Sequence, residues 1–174
     1  MRILALSGSL RDGSTNTALI GAAKVLAPKG AEVLLWNAQD QLPHFNPGLE
    51  TAVPPVVQEF RDLVGRADGL LFAVPEYARG LPGAFKNALD WLVGGDTFVR
   101  KYFVQWNASP RASEAQKSLR LVLETMSGFH VDEAVLALPL IKQQVTPQSL
   151  AAQYPDEIKA ALAAFVTALQ TRGA

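Results

Sequence analysis

Two short segments concentrate the residue types that hold ligands through charge and backbone. The first, Ser7-Gly8-Ser9-Leu10-Arg11-Asp12-Gly13-Ser14-Thr15-Asn16-Thr17, sets hydroxyls and glycines around one arginine, directly ahead of a helical pattern. Hydroxyls and open backbone amides donate to anionic oxygens, a helix N-terminus adds the positive end of its dipole, and a guanidinium offers a planar fork of charged donors. That is the chemistry of an anion cradle. The glycine-lysine-serine ending of a Walker loop is absent, as is the G-x-G-x-x-G dinucleotide pattern, so a monophosphate fits better than a triphosphate. An ordinary capped strand-to-helix turn is the alternative.

The second segment, Pro75-Glu76-Tyr77-Ala78-Arg79-Gly80-Leu81-Pro82-Gly83, carries two prolines and two glycines, which predict an irregular loop instead of a tight turn. Its amides and carbonyls can bond the polar edge of a planar heterocycle, and Tyr77 offers an aromatic surface to pack against one. Taken singly, Tyr77 reads as a partly buried core aromatic and Glu76 as a solvated or capping carboxylate. Their joint reading depends on both segments meeting at one crevice.

Other chemistries find no support. There is no cysteine, so disulfides, thiolate nucleophiles and thiolate metal sites are excluded. His44 and His130 lie far apart with no acidic partners at ligand spacing, and no serine-histidine-acid or paired-carboxylate set stands out, so no catalytic side chain and no metal is assigned. Sixteen basic residues balance sixteen acidic ones, which argues against nucleic acid or an anionic membrane surface as a partner. No apolar stretch is long enough to span a bilayer, and Ile3 to Leu6 is too short for the apolar core of a signal peptide, so a cytoplasmic location is the expectation. Apolar residues at 49% and charged residues at 18% are those of a folded chain, read here as one domain over residues 1–174.

The elements that must position these segments show as short apolar runs alternating with stretches of helical periodicity. Strands are expected at Arg2 to Leu6, Ala31 to Trp36, Gly69 to Val74, Tyr102 to Trp106 and Val131 to Ala137, mostly continuous in hydrophobicity, as strands covered on both faces are. Helical stripes run through Ala18–Leu26, Val56–Ala67, Ala84–Leu92, Ala115–Met126 and Ile158–Leu169. Pro82 suits the first turn of the third helix, and Ser113 with Gln116 has capping-box spacing at the fourth. The Pro-rich stretch from Leu42 to Pro55, with His44 in it, reads as a long surface connection. Trp36, Trp91 and Trp106 read as packing, and Lys86 as a capping or surface lysine. Five strands with right-handed crossovers favour a flavodoxin-like α/β three-layer sandwich with a parallel sheet of order 2-1-3-4-5. In such a sheet, ligands bind beyond the carboxyl ends of the strands where the order reverses, here after the first and third strands, which is where the two segments fall.

Gly8-Ser9-Leu10-Arg11, Ser14, Asn16, Leu42-Pro43, Asn46-Pro47, Pro75-Glu76-Tyr77, Pro82-Gly83 and Lys86-Asn87-Ala88-Leu89-Asp90-Trp91 together resemble the NADPH-dependent FMN reductases of the flavodoxin-like superfamily. The resemblance covers roughly the first half of the chain. It implies that Ser9, Arg11, Ser14, Asn16 and Thr17 hold the phosphate of FMN, and that Pro75, Glu76, Tyr77 and Ala78 border its ring. It further implies NADPH or NADH as electron donor, and a small acceptor such as a flavin, quinone, azo compound or metal oxyanion. A homodimer or homotetramer is implied as well. The chain departs from the family after the fourth strand. A glycine-rich stretch is replaced there by Asn107-Ala108-Ser109-Pro110-Arg111-Ala112-Ser113, which is stiffer and more polar. Arg79 and Gly80 also stand where several relatives have smaller or amide residues. Two other readings stay open: a non-enzymatic electron carrier, which the neutral charge disfavours, and a binding module that has lost tight flavin affinity.

Overall fold

The computed structural model describes residues 1–109, 111, 113–140 and 144–172. In chain order they form β1 (Arg2–Ser7), α1 (Thr15–Val25), β2 (Glu32–Trp36), α2 (Pro55–Arg66), β3 (Gly69–Ala73) and α3 (Gly83–Val93). Then come β4 (Tyr102–Asn107), α4 (Ser113–Thr125), β5 (Phe129–His130), β6 (Leu136–Ala137), α5 (Pro147–Gln153) and α6 (Pro155–Arg172). Every strand pairing is parallel. The order is β2-β1-β3-β4-β5, with β6 also on the outer edge of β4, so the expected 2-1-3-4-5 topology is present.

The two faces of the sheet build two cores because successive strand side chains point to opposite sides. Along β3, Leu71 and Ala73 join Ile3, Val104 and Trp106 under α1, α5 and α6, where Leu19, Leu162 and Phe165 pack. Leu70 and Phe72 join Leu4, Leu6 and Phe103 on the other face, against Phe60, Phe85 and Leu89 of α2 and α3. β3 is buried at every position, which explains its unbroken run of apolar residues. Trp36 stacks on Phe60 at 4.2 Å between ring centroids, and Trp91 and Trp106 are buried, so the tryptophans pack as expected. Among the described residues, no helix is long and apolar enough to cross a membrane.

The fifth strand is not the continuous Val131 to Ala137 run that hydrophobicity suggests. It splits into β5 and β6 around a single 3-10 turn, Asp132–Ala134. The side chains explain the break. Arg120 Nη1 donates to Asp132 Oδ1 at 2.7 Å, and Trp106 Nε1 donates to the Ala134 carbonyl at 3.0 Å, so this stretch turns toward side-chain partners instead of the ladder. Pairing resumes when Leu138 N donates to Asn107 O. α5 is a further element without a strong apolar stripe. A reciprocal Thr146–Ser149 capping box starts it, and Pro147 packs where any Cβ on Gly21 of α1 would collide. The Leu42–Pro55 connection is anchored: Asn87 Nδ2 and Trp91 Nε1 both donate to Pro43 O, and Phe45 N donates to Asn87 Oδ1.

The turn at Asp132 titrates. Burial, aided by the positive charge of Arg120, holds His130 below its ordinary value of 6.5 despite the opposing pull of Asp132, so the folded state prefers the neutral ring. The unfolded chain therefore binds the proton first on acidification. This contribution to stability is intact above the ordinary histidine value and is lost as pH falls through it toward the lowered folded value. Asp132, held low by its hydrogen bond from Arg120, adds a second loss at more acidic pH. In thermal melts between neutral pH and about pH 5, His130→Phe should show a shallower fall in Tm than the wild type. An identical slope would remove His130 as a cause.

Candidate functional site

The carboxyl ends of β1 and β3 are held together by backbone. Gly8 N donates to Ala73 O at 2.9 Å, and a Cβ on Gly8 would lie 2.7 Å from Val74 Cγ1. From Gly8 the chain turns into α1 through a loop whose hydroxyls bond it internally. Ser9 N donates to Ser7 Oγ, Arg11 N donates to Ser9 Oγ, and Ser14 Oγ accepts from Thr17 N as the N-cap. Gly13 takes φ +65°, a left-handed conformation that glycine adopts without a Cβ penalty. The amides of Thr15 and Asn16, at the first helical positions, have no carbonyl four residues back within the helix.

The loop forms one wall of a crevice of about 590 Å³. Ser9, Arg11, Ser14, Thr15 and Asn16 line that wall, and Val74 to Tyr77 line the one opposite. Asn107 to Ser109, with Arg111, extend from the end of β4, while Leu140 and Gln144 complete the surface. The crevice thus brings together Ser9, Arg11, Ser14, Asn16, Pro75, Glu76 and Tyr77 of the expected site. Thr17 and Ala78 do not line it. Thr17 Oγ1 is bonded to Ser7 Oγ at 2.6 Å, which braces the loop from behind. Val74, Leu140 and Gln144 are additions that sequence reading missed, while Thr15, Asn107 and Ala108 lie in segments it singled out without being named as site residues. Val74 belongs to an ordinary strand end, and Leu140 and Gln144 reach the site only through the chain path after β6, which carries no motif. Pro110 and Ala112 of the departing loop lie outside the described residues. His44 is exposed and does not line the crevice.

The segment after β3 corrects the expectation of an irregular loop. Tyr77 and Gly80 exchange both backbone hydrogen bonds, at 3.1 and 3.0 Å, closing a two-residue hairpin turn. Its central residues, Ala78 and Arg79, take φ +50° and +61°, where non-glycine residues are uncommon and carry strain on the order of 1 kcal/mol each. Such a turn persists where its surroundings hold it, and it presents Tyr77 at the rim with 55% of its surface open. Tyr77 is therefore not a core aromatic.

Glu76 takes the capping role that its residue type allows. One carboxylate oxygen, Oε2, accepts from Glu114 N at 2.8 Å and Ala115 N at 3.0 Å in the first turn of α4. The local Ser113–Gln116 capping box does not form. Ser113 Oγ turns to Glu114 Oε1, and Gln116 is occupied by Gln105 and by Val74 O.

The residues present fit a phosphate-bearing, flat cofactor. Hydroxyls, open α1 amides and the exposed Arg11 guanidinium converge on one end, and the Oδ1 atom of Asn16 is buried there without a partner. Because the two ends of an amide are alike in shape, that side chain can offer either an acceptor or a donor. The other end supplies Tyr77, Val74 and Ala108 as apolar contacts, together with the backbone of Pro75 and Glu76.

Comparison with known proteins agrees. The sequence profile described as NADPH-dependent FMN reductase matches residues 1–143. The chain is 44% identical over 95 residues to a probable NADPH:quinone oxidoreductase of Oryza sativa subsp. japonica, covering 52% of this chain and 47% of that protein. It is 40% identical over 92 residues to an NAD(P)H-dependent FMN reductase of Pseudomonas aeruginosa, covering 52% and 49%. These matches span about half the length of either relative. Among solved structures, the flavoenzyme NAD(P)H:(acceptor) oxidoreductase of Paracoccus denitrificans superposes with a TM-score of 0.83, 26% identity and 97% coverage of both chains. The matched residues 1–143 take in both loops that face the crevice, and the chain belongs to the NADPH-dependent FMN reductase family.

Proposed function

We propose that the crevice holds FMN and that the protein is an NAD(P)H-dependent oxidoreductase serving a small acceptor, with quinones the first class to test. The observation that carries this reading is the meeting of the α1 anion cradle and the exposed Tyr77 turn across one cleft. In this reading Ser9, Ser14, Asn16 and Arg11 bind the phosphate, joined by Thr15, while Thr17 braces the loop that carries them. Pro75, Glu76 and Tyr77 border the ring, and Ala78 shapes the turn that sets Tyr77 in place. When bound, the flavin supplies the redox chemistry, taking a hydride from the nicotinamide and giving electrons to the acceptor. The protein's work is then to bind, orient and admit two planar partners.

The related proteins named above include a quinone oxidoreductase and an FMN reductase, which supports this acceptor class and this cofactor. One domain over residues 1–174, a cytoplasmic location and a homodimer or homotetramer belong to the same proposal, with no nucleic acid or membrane partner. The deciding test is a visible spectrum of the protein with added FMN, followed by anaerobic NADPH or NADH. Bleaching of bound flavin supports the enzyme. Binding without bleaching favours an electron carrier, and no binding overturns the assignment.

Arg11→Ala should weaken FMN binding by about 10- to 100-fold, the range for a lost charged hydrogen bond of about 1.5–3 kcal/mol. Its exposed position predicts a change in fold stability of no more than about 0.5 kcal/mol. Fluorescence titration and denaturant melts measure the two. An unchanged affinity would remove Arg11 from the phosphate site.

A further inference from the structure

We propose that Glu76 is a positioning residue whose carboxylate straps the first turn of α4 to the loop after β3, and so holds the β4-side wall of the crevice against the flavin. The inference rests on the flavin reading above. Its basis is a set of contacts that converge on one helical turn. Glu76 Oε2 takes the amides of Glu114 and Ala115, residues 38 and 39 positions downstream. Gln116 Nε2 reaches Val74 O at 3.4 Å, and Gln105 Nε2 on β4 donates to both the backbone and the side-chain oxygen of Gln116, at 2.9 and 3.1 Å. The start of α4 is thereby bonded to the extension of β3 and to β4 at once. Asn107, Ala108 and Ser109, which line the crevice, lie in the short connection between those anchored points.

The strap also settles a charge conflict. Glu76 is the one carboxylate among the described residues lining a crevice built for an anion. An unpaired carboxylate there would repel a phosphate. Two amides at a helix N-terminus, on the positive end of the dipole, offset its charge locally. The same contact occupies the N-terminus of α4, which leaves α1 as the helix end open to the ligand's phosphate. Lys117, and then the hydrogen bond from Ser113, hold the Glu114 carboxyl below its usual range, with only a minor addition from the charge of Arg79 on the turn.

The test compares Glu76→Ala and Glu76→Gln in the full chain. In flavin-free protein, amide exchange at Glu114 and Ala115 should accelerate at least about tenfold in the alanine variant, the scale of a lost helix cap. The FMN Kd should rise by about tenfold as well. Glutamine keeps an acceptor oxygen without the charge, so both effects should be smaller, and it carries the test if the alanine variant does not fold. Unchanged exchange, a lowered Tm with unchanged FMN Kd, or a glutamine variant no better than alanine in both readouts would each overturn the proposal. Failure of the wild type to bind FMN would instead sink the flavin reading, and the exchange result would still decide whether the strap exists.

Discussion

Gly8→Ala should destabilise the fold by about 1–3 kcal/mol, the usual range for a methyl forced into packed surroundings, and should weaken FMN binding by at least about tenfold. The new Cβ would lie 2.7 Å from Val74 Cγ1, 2.9 Å from Val74 Cβ and 3.1 Å from Val74 Cα. A side chain can rotate away from the first contact, but the last is backbone, so the loops after β1 and β3 must separate. That separation stretches the Gly8 N to Ala73 O bond and widens the crevice between its two principal walls. Pairing Gly8→Ala with Val74→Ala should recover only part of the loss, because alanine removes the Cγ1 contact and keeps those to Cβ and Cα. Denaturant melts and flavin titration of both single variants and the double variant measure the coupling. Wild-type stability and affinity in Gly8→Ala would show that the two loops have slack.

Arg61→Ala is expected to cost on the order of 3 kcal/mol, with no matching loss of FMN affinity below the unfolding transition. The Arg61 side chain is only 8% exposed. Its Nε donates to Trp91 O at 2.8 Å, and its guanidinium lies 5.8 Å from the Trp91 ring centroid. Truncation leaves the Trp91 carbonyl unpaired and opens a void beside the ring. Glu50, which accepts from both terminal nitrogens of Arg61 and is held below the usual carboxylate range by that bond, can turn to water and contributes little to the loss. The damage should spread to the Leu42–Pro55 connection, since Trp91 also holds Pro43 O. Arg61→Lys should recover part of the loss, because its stem refills the void but it has no Nε donor beside the Trp91 carbonyl. Parallel loss of stability and flavin affinity would show that this clasp reaches the crevice after all.

The site was legible where function depends on residue type and local order. A run of hydroxyls, glycine and arginine between a strand and a helix falls at the carboxyl end of a strand in any such sheet, and Ser9, Arg11, Ser14 and Asn16 line the crevice there. Thr17 belongs to the same run yet faces away, because helical rotation carries it to Ser7 instead of to the cleft. The turn at Ala78 and Arg79 was illegible for a different reason. Two prolines and two glycines pointed to an irregular loop and neither Ala78 nor Arg79 favours a left-handed backbone, yet the two bonds between Tyr77 and Gly80 close a tight turn.

By itself, the sequence determined the alternation of strand and helix, the 2-1-3-4-5 sheet and the two loops at its switch point. Period and composition encode those directly. Only the tertiary structure decided that Glu76 caps a helix 38 residues away, that Trp106 and Arg120 break the last strand, and that Leu140 and Gln144 reach the crevice. These contacts join residues distant in the chain, and a hydrogen bond formed only when the sheet brings its partners together leaves no periodic trace in either segment.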